Sequence, residues 1–144
     1  MKKLSVSVSA AVVAGLCFAA PAQAGCDPVH DPGTGCSATF QVDLYNVIPG
    51  GSALAKGTFV DKTPHVKAPS FVQDTADDGL AAHLWIKYFK IVPGGTQEVT
   101  RSLASASGVG TSTPIEWLSP DQMHRFYLKV CVGEGESNCT PWYL

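Results

Sequence analysis

Charge is scarce in this chain: only 15% of its 144 residues are Asp, Glu, Lys or Arg, and ten basic residues face twelve acidic ones. No basic stripe and no block of like charge occurs, which argues against nucleic acid and anionic membrane as partners. Weak acidity of this kind supports solubility and little else.

Catalytic signatures are missing as well. Neither G-x-S-x-G nor S-x-x-K occurs, and His30, His65, His83 and His124 stand far apart. Among the carboxylates only Asp77 and Asp78 adjoin. Neighbours on a turn point apart, so they read as a solvated Asp-Gly turn and not as the facing pair of a glycosidase. Asp74, Asp77 and Asp78 do not meet the D-x-[DN]-x-[DN]-G spacing of a calcium loop. Nine and seven residues separate the cysteines of the two close pairs, too many for a zinc knuckle. The sequence is therefore read as a non-enzyme without cofactor or metal.

Long apolar runs are absent except at the start. Lys2 and Lys3 precede an uncharged run from Leu4 to Ala20, followed by Pro21 and the small-residue triplet Ala22-Gln23-Ala24. This order predicts a secretory signal over 1–24, cleaved after Ala24. The address is then secreted or extracellular, with periplasm or cell wall as variants. Cleavage would leave 120 residues, enough for one domain with one core.

Cys17 would leave with the signal, and Cys26, Cys36, Cys131 and Cys139 would remain. Four cysteines in an exported chain of this size predict two disulfides. Three pairings are possible, and proximity along the chain favours Cys26 with Cys36 and Cys131 with Cys139. Gln23-Ala24-Gly25-Cys26 offers an alternative, lipidation of Cys26, but an aliphatic residue is expected where Gln23 stands, and one thiol would be left odd.

The rest alternates. Segment 25–36, with its prolines, glycines and aspartates, reads as a disulfide-tethered arm, and 37–144 as the domain. Segment 37–48 sets Phe40, Val42, Leu44 and Ile48 on one side, then meets the turn Pro49-Gly50-Gly51 and returns as a second strand over 52–60. Residues 61–79 read as irregular connections, with one short strand around Phe71 and Val72. Segment 80–92 is apolar on both faces, Leu84, Ile86 and Tyr88 against Trp85, Phe89 and Ile91. That pattern fits a doubly buried strand or one with an aromatic binding face. Pro93-Gly94-Gly95 closes it, and strand-like stretches follow at 96–106 and 111–118. Segment 123–132 alternates Phe126, Leu128, Val130 and Val132 with Arg125, Tyr127, Lys129 and Cys131. A loop at 133–138 leads to a last short strand over 139–144. Short strands at even intervals, with no convincing amphipathic helix, predict an all-β fold, a single small antiparallel β-sandwich or barrel.

Leu118-Ser119-Pro120, the alternating strand through Phe126, Leu128 and Val130, and the Gly-Glu-Ser-Asn loop before the final strand resemble the closing third of fibronectin type III and other immunoglobulin-like domains. The resemblance implies an immunoglobulin-like sandwich and, by analogy with the buried Trp of strand C, a core position for Trp85. It departs at His124, where the family places the aromatic, usually Tyr, that closes the corner six residues after the Leu of L-x-P. The expected C-terminal disulfide is also not the inter-sheet bridge of antibody domains.

Aromatic side chains are the remaining positive signal. Trp85, Phe89 and Trp142 are candidate binding residues, since large rings supply contact area and indoles add a polar handle. Trp142, beside Pro141 at the chain end, is expected to be the more exposed tryptophan. The leading expectation is a secreted, non-catalytic binding domain docking to another extracellular macromolecule, with an accessory subunit of an exported assembly as one form of that role. Alternatives are an inhibitor of extracellular hydrolases, presenting a braced loop from 26–36 or 133–138, and a carbohydrate-binding module recognising a cell-surface glycan.

Overall fold

A computed structural model describes residues 26–27, 31–32 and 37–143. The expected signal over 1–24 and the expected Cys26–Cys36 bridge lie outside the described residues, as does the question of lipidation. From the arm only a short pairing is described, β1 (Cys26–Asp27) with β2 (Asp31–Pro32).

The alternation of 37–48 produces the first long strand, β3 (Ser37–Ile48), whose Phe40, Val42, Leu44 and Ile48 are all buried. Pro49 and Gly50 turn the chain, with Gly50 at φ 89°, and β4 (Gly51–Val60) runs back antiparallel. A residue with φ this positive is the third of a type II turn, which Gly enters without steric cost. Where an irregular connection was expected, β5 (Thr63–Asp74) forms a full strand in the middle of the sheet. Its prolines are accommodated locally. Pro64 lies at the strand's start, and Pro69 falls in a register shift at which Ser70 Oγ accepts from Lys56 N (2.8 Å) and donates to Lys56 O (3.1 Å). The side chain thereby replaces ladder bonds that the bulge breaks.

The second sheet begins with β6 (Ala81–Val92), its hairpin partner β7 (Gly95–Ser107) and later β10 (Met123–Val132), in the order β10-β6-β7. Between them the chain returns to the first sheet. The expected strand over 111–118 is two short pieces, β8 (Ser112–Pro114) and β9 (Trp117–Leu118), both paired with β5. Two antiparallel sheets thus pack as a sandwich. Among the described residues one disulfide is formed, Cys131–Cys139.

The core lies between the sheets. Phe40, Phe59 and Phe126 meet with ring centroids 5.1–5.8 Å apart, joined by Leu44, Val66, Leu84, Ile86 and Leu128. Each such side chain contributes about 1.5–3 kcal/mol relative to exposure. At one end, buried Asp74 accepts from Ala76 N (3.1 Å) and Gly108 N (2.8 Å), while Asp78 accepts from Leu80 N (2.9 Å). These acids hold turns together.

Two further corrections concern the C-terminus. Among the described residues of the expected last strand, 139–143, no strand forms; the tail instead lies antiparallel beside β10 through isolated bridges, Cys131 with Cys139 and Leu128 with Tyr143. Pro141, which has no N–H to give, stands between those bridges. The outer side of β10 is also not open throughout: Lys129 and Cys131 are buried, because the loop over 133–138 and the tail fold across them.

Candidate functional site

Period-two geometry decides which residues of β6 share a face. Ala82, Leu84, Ile86 and Tyr88 point into the core, so His83, Trp85, Lys87, Phe89 and Ile91 project from the outside of the three-stranded sheet, each half-buried. Trp85 is therefore not a core residue, contrary to the immunoglobulin analogy; Trp117 is the indole that packs against the core, 6.2 Å from the Tyr88 ring. Trp85 Nε1 is buried and meets no acceptor among the described residues.

Strand register then brings the outer residues of β10 alongside. Tyr127 lies opposite Lys87 and Lys129 opposite Trp85. Arg125 stands over the Phe89 ring (4.5 Å) and near Tyr127 (6.0 Å), and Phe89 and Tyr127 meet edge to face at 6.4 Å. Beyond them Trp142 from the tail takes Lys87 (4.8 Å) and Lys129 (4.3 Å) over its ring. Lys87 also approaches Tyr127 at 5.6 Å. The result is a layer of alternating cations and rings, each contact worth about 0.5–1 kcal/mol at an exposed site. Lys129 is further paired with Glu136 at 2.6 Å, which ties the 133–138 loop to the sheet.

All three candidate binding residues thus lie on one face. Trp85 and Phe89 come from one strand, Trp142 arrives with the tail, and Trp142 is half-buried, as Trp85 is. Tyr127, Lys87 and Arg125 belong to the same layer and were not among the candidates. Their signal was present in the alternation of β10, whose Arg125, Tyr127 and Lys129 share one side, but only the β6–β10 register shows what they meet.

A second polar group closes the edge of the sandwich. Tyr88 Oη donates to Asp121 Oδ2 (2.9 Å), and Lys90 Nζ pairs with Asp121 Oδ1 (2.7 Å). Ser119 Oγ donates to Asp121 O (2.8 Å), so the Leu118-Ser119-Pro120 turn is held by Tyr88 of β6. The Lys90 ammonium, helped by the Tyr88 hydroxyl, holds the Asp121 carboxyl below its usual range, while burial and the neighbouring Asp121 push the Tyr88 hydroxyl up.

A depressed carboxyl stabilises the fold above its unfolded pKa of about 4, and that contribution is lost as pH falls through the folded value. Asp121→Asn should lower unfolding free energy at neutral pH by up to about 1 kcal/mol, the range of partly exposed pairs. Denaturant titrations of both proteins should converge as pH falls through the depressed folded value, below which the carboxyl is protonated in folded and unfolded chain alike. A gap that persists there would assign the effect to packing.

Elsewhere, a cleft of about 400 Å³ opens beside Leu80, His83, Ser107, Gly133 and Glu134. His65 and His83 stand on different sheets, and no three of the described His, Cys, Asp and Glu residues gather as a ligand set. Comparison of the chain with family models, curated proteins and solved structures finds no match.

Proposed function

We propose that this chain is an exported, non-catalytic binding domain that docks to another extracellular macromolecule, a protein, through the outer face of β6 and β10. The observation that carries the reading is the convergence of Trp85, Phe89, Tyr127 and Trp142 with Lys87 and Arg125 on one face outside the core. Aromatic and Arg side chains are the types that dominate protein-binding energy. A neutral glycan fits less well, because the faces of Phe89 and Trp142 already carry cations and are not bare stacking platforms. Export rests on the signal-like order of 1–24, and a disulfide suits an oxidising compartment.

The finer fold reading, an immunoglobulin-like sandwich, is supported by strand order. With β4, β5 and β8/β9 in the places of strands A, B and E, the places of C, F and G fall to β6, β10 and the tail. β7 then stands where C′ does, and β3 is an added edge strand.

Wild-type protein and a Phe89→Ala/Arg125→Glu double variant, immobilised side by side, should differ in what they retain from the producing cells' secreted proteins. A partner held by the wild type should bind the variant at least about tenfold more weakly, as loss of a hot spot implies. Identical retention by both, with the variant's circular dichroism unchanged, would remove this face from the function.

A further inference from the structure

β7 ends the three-stranded sheet, and over 95–102 no other described strand pairs with its outer edge. Its hairpin with β6 pairs Val92 with Gly95 across a two-residue turn, so Gly95, Gln97, Val99 and Arg101 hydrogen-bond back to β6. The backbone N–H and C=O groups of Thr96, Glu98, Thr100 and Ser102 therefore point away from the sheet. These four residues are exposed, and no other described group hydrogen-bonds to their backbones. Beyond them the register shifts between Leu84 and Trp85, where Leu103 is the extra residue, and the edge adjoins β8 through Thr113 Oγ1 donating to Ser105 O (2.7 Å).

Exposed edges are normally blunted by Pro, Lys, a bulge or brevity. β3, the edge of the other sheet, carries such a device: Asn46 at φ 53° in a register shift between Leu44 and Ile48. β7 runs for 13 residues, GTQEVTRSLASAS, with no Pro and no Lys, and is regular from Gly95 to Ser102. Such a strand is a template for pairing.

We infer that a second copy of this chain pairs with it, β7 against β7, antiparallel about a two-fold axis at Val99. In this register Thr96 meets the partner's Ser102 and Glu98 meets the partner's Thr100, so all four outward-pointing residues find counterparts. A shift of two residues toward the bulge would match Thr96 with the partner's Ala104, beyond the irregularity. No like charges lie directly opposite: Gln97 faces the partner's Arg101, and the half-buried Val99 faces its own copy across a non-hydrogen-bonded pair. Lys87, Thr100 and the partner's Glu98 fall in one row, two strand spacings or about 10 Å from end to end, within reach of a Lys stem. With the axis normal to the sheet, a continuous six-stranded sheet forms with both aromatic faces on the same side. The pairing stands independently of the proposed docking role.

Light scattering on the full chain should give a dimer that dissociates on dilution. Thr100→Pro removes only an N–H that points away from β6, a position where edge strands tolerate Pro, and should give a folded monomer. Val99→Cys brings two thiols to Cα atoms about 4.5 Å apart and should cross-link on a non-reducing gel, whereas Glu98→Cys, facing Thr100, should not. A wild type monomeric at every concentration overturns the inference, as does a dimer that survives Thr100→Pro. Cross-linking by Val99→Cys no stronger than by Glu98→Cys also overturns it.

Discussion

Gly57→Ala is expected to destabilise the sandwich by about 3 kcal/mol, the upper range of overpacking, although it adds a single methyl group. A Cβ built on Gly57 runs into the His65 carbonyl oxygen of β5 and lies 2.6–2.7 Å from the Phe40 ring. Neither neighbour is free to give way. His65 is fixed by the β4–β5 ladder, and Phe40 is wedged between Phe59 (5.8 Å) and Phe126 (5.1 Å). The Phe40 ring, backed by Phe59 and Phe126, fills the space over the glycine, so residue 57 gives up a side chain for that packing. Thermal melts should show a midpoint lower by roughly 10 °C for a domain of this size. Adding Phe40→Leu should recover part of the loss, since it relieves the ring contact and leaves the carbonyl contact. A midpoint within about 2 °C of wild type would mean that the two sheets are less tightly packed here than the contacts require.

That glycine also shows where sequence reading stops. Alternation alone identified β3, β6 and β10 and chose the buried faces of β3 and β10 correctly, because a half-buried strand writes its period into the chain. β5 was missed for the opposite reason. Pro64, Lys67, Ala68 and Pro69 interrupt the period, and the bonds that compensate come from Ser70 across to Lys56, which no local pattern shows. Trp85 is a subtler case. Its strand is apolar on both faces, so periodicity placed Leu84, Ile86 and Tyr88 opposite Trp85, Phe89 and Ile91 without saying which set faces inward. The analogy to a buried strand-C Trp then chose the wrong set for it. The binding candidates Trp85, Phe89 and Trp142 were legible as large aromatics, but their meeting was not, since it depends on the β6–β10 register and on a tail that crosses back over the sheet.

Replacing Cys131 and Cys139 together by Ala should lower stability by about 2.5 kcal/mol, the loop-entropy value for a ring this short, and the midpoint by nearly 10 °C. The bridge spans eight positions of sequence and joins facing residues of β10 and the tail. Around it Val132 N donates to Asn138 O (2.9 Å) and Thr140 N to Val130 O (2.9 Å), and Leu128 and Tyr143 exchange two further bonds (2.7 and 2.9 Å). The tail is thus held by ordinary ladder bonds as well as by sulfur. The disulfide's share is to keep the 133–138 loop short-tethered in the unfolded chain and Glu136 poised over Lys129 in the folded one. Lys129 is only 3% exposed, and a buried ammonium without its partner is strongly disfavoured. The double variant should therefore lose more than the covalent tie. Trp142, with Lys129 at 4.3 Å and Lys87 at 4.8 Å, should become more solvent-exposed, giving a red shift in tryptophan emission before the main transition. Adding Lys129→Met, an apolar side chain of similar length, should return part of the stability while leaving the red shift, because it removes the charge but not the loosened tail. An unchanged midpoint in the double cysteine variant would show that the backbone pairing alone fixes the tail to β10.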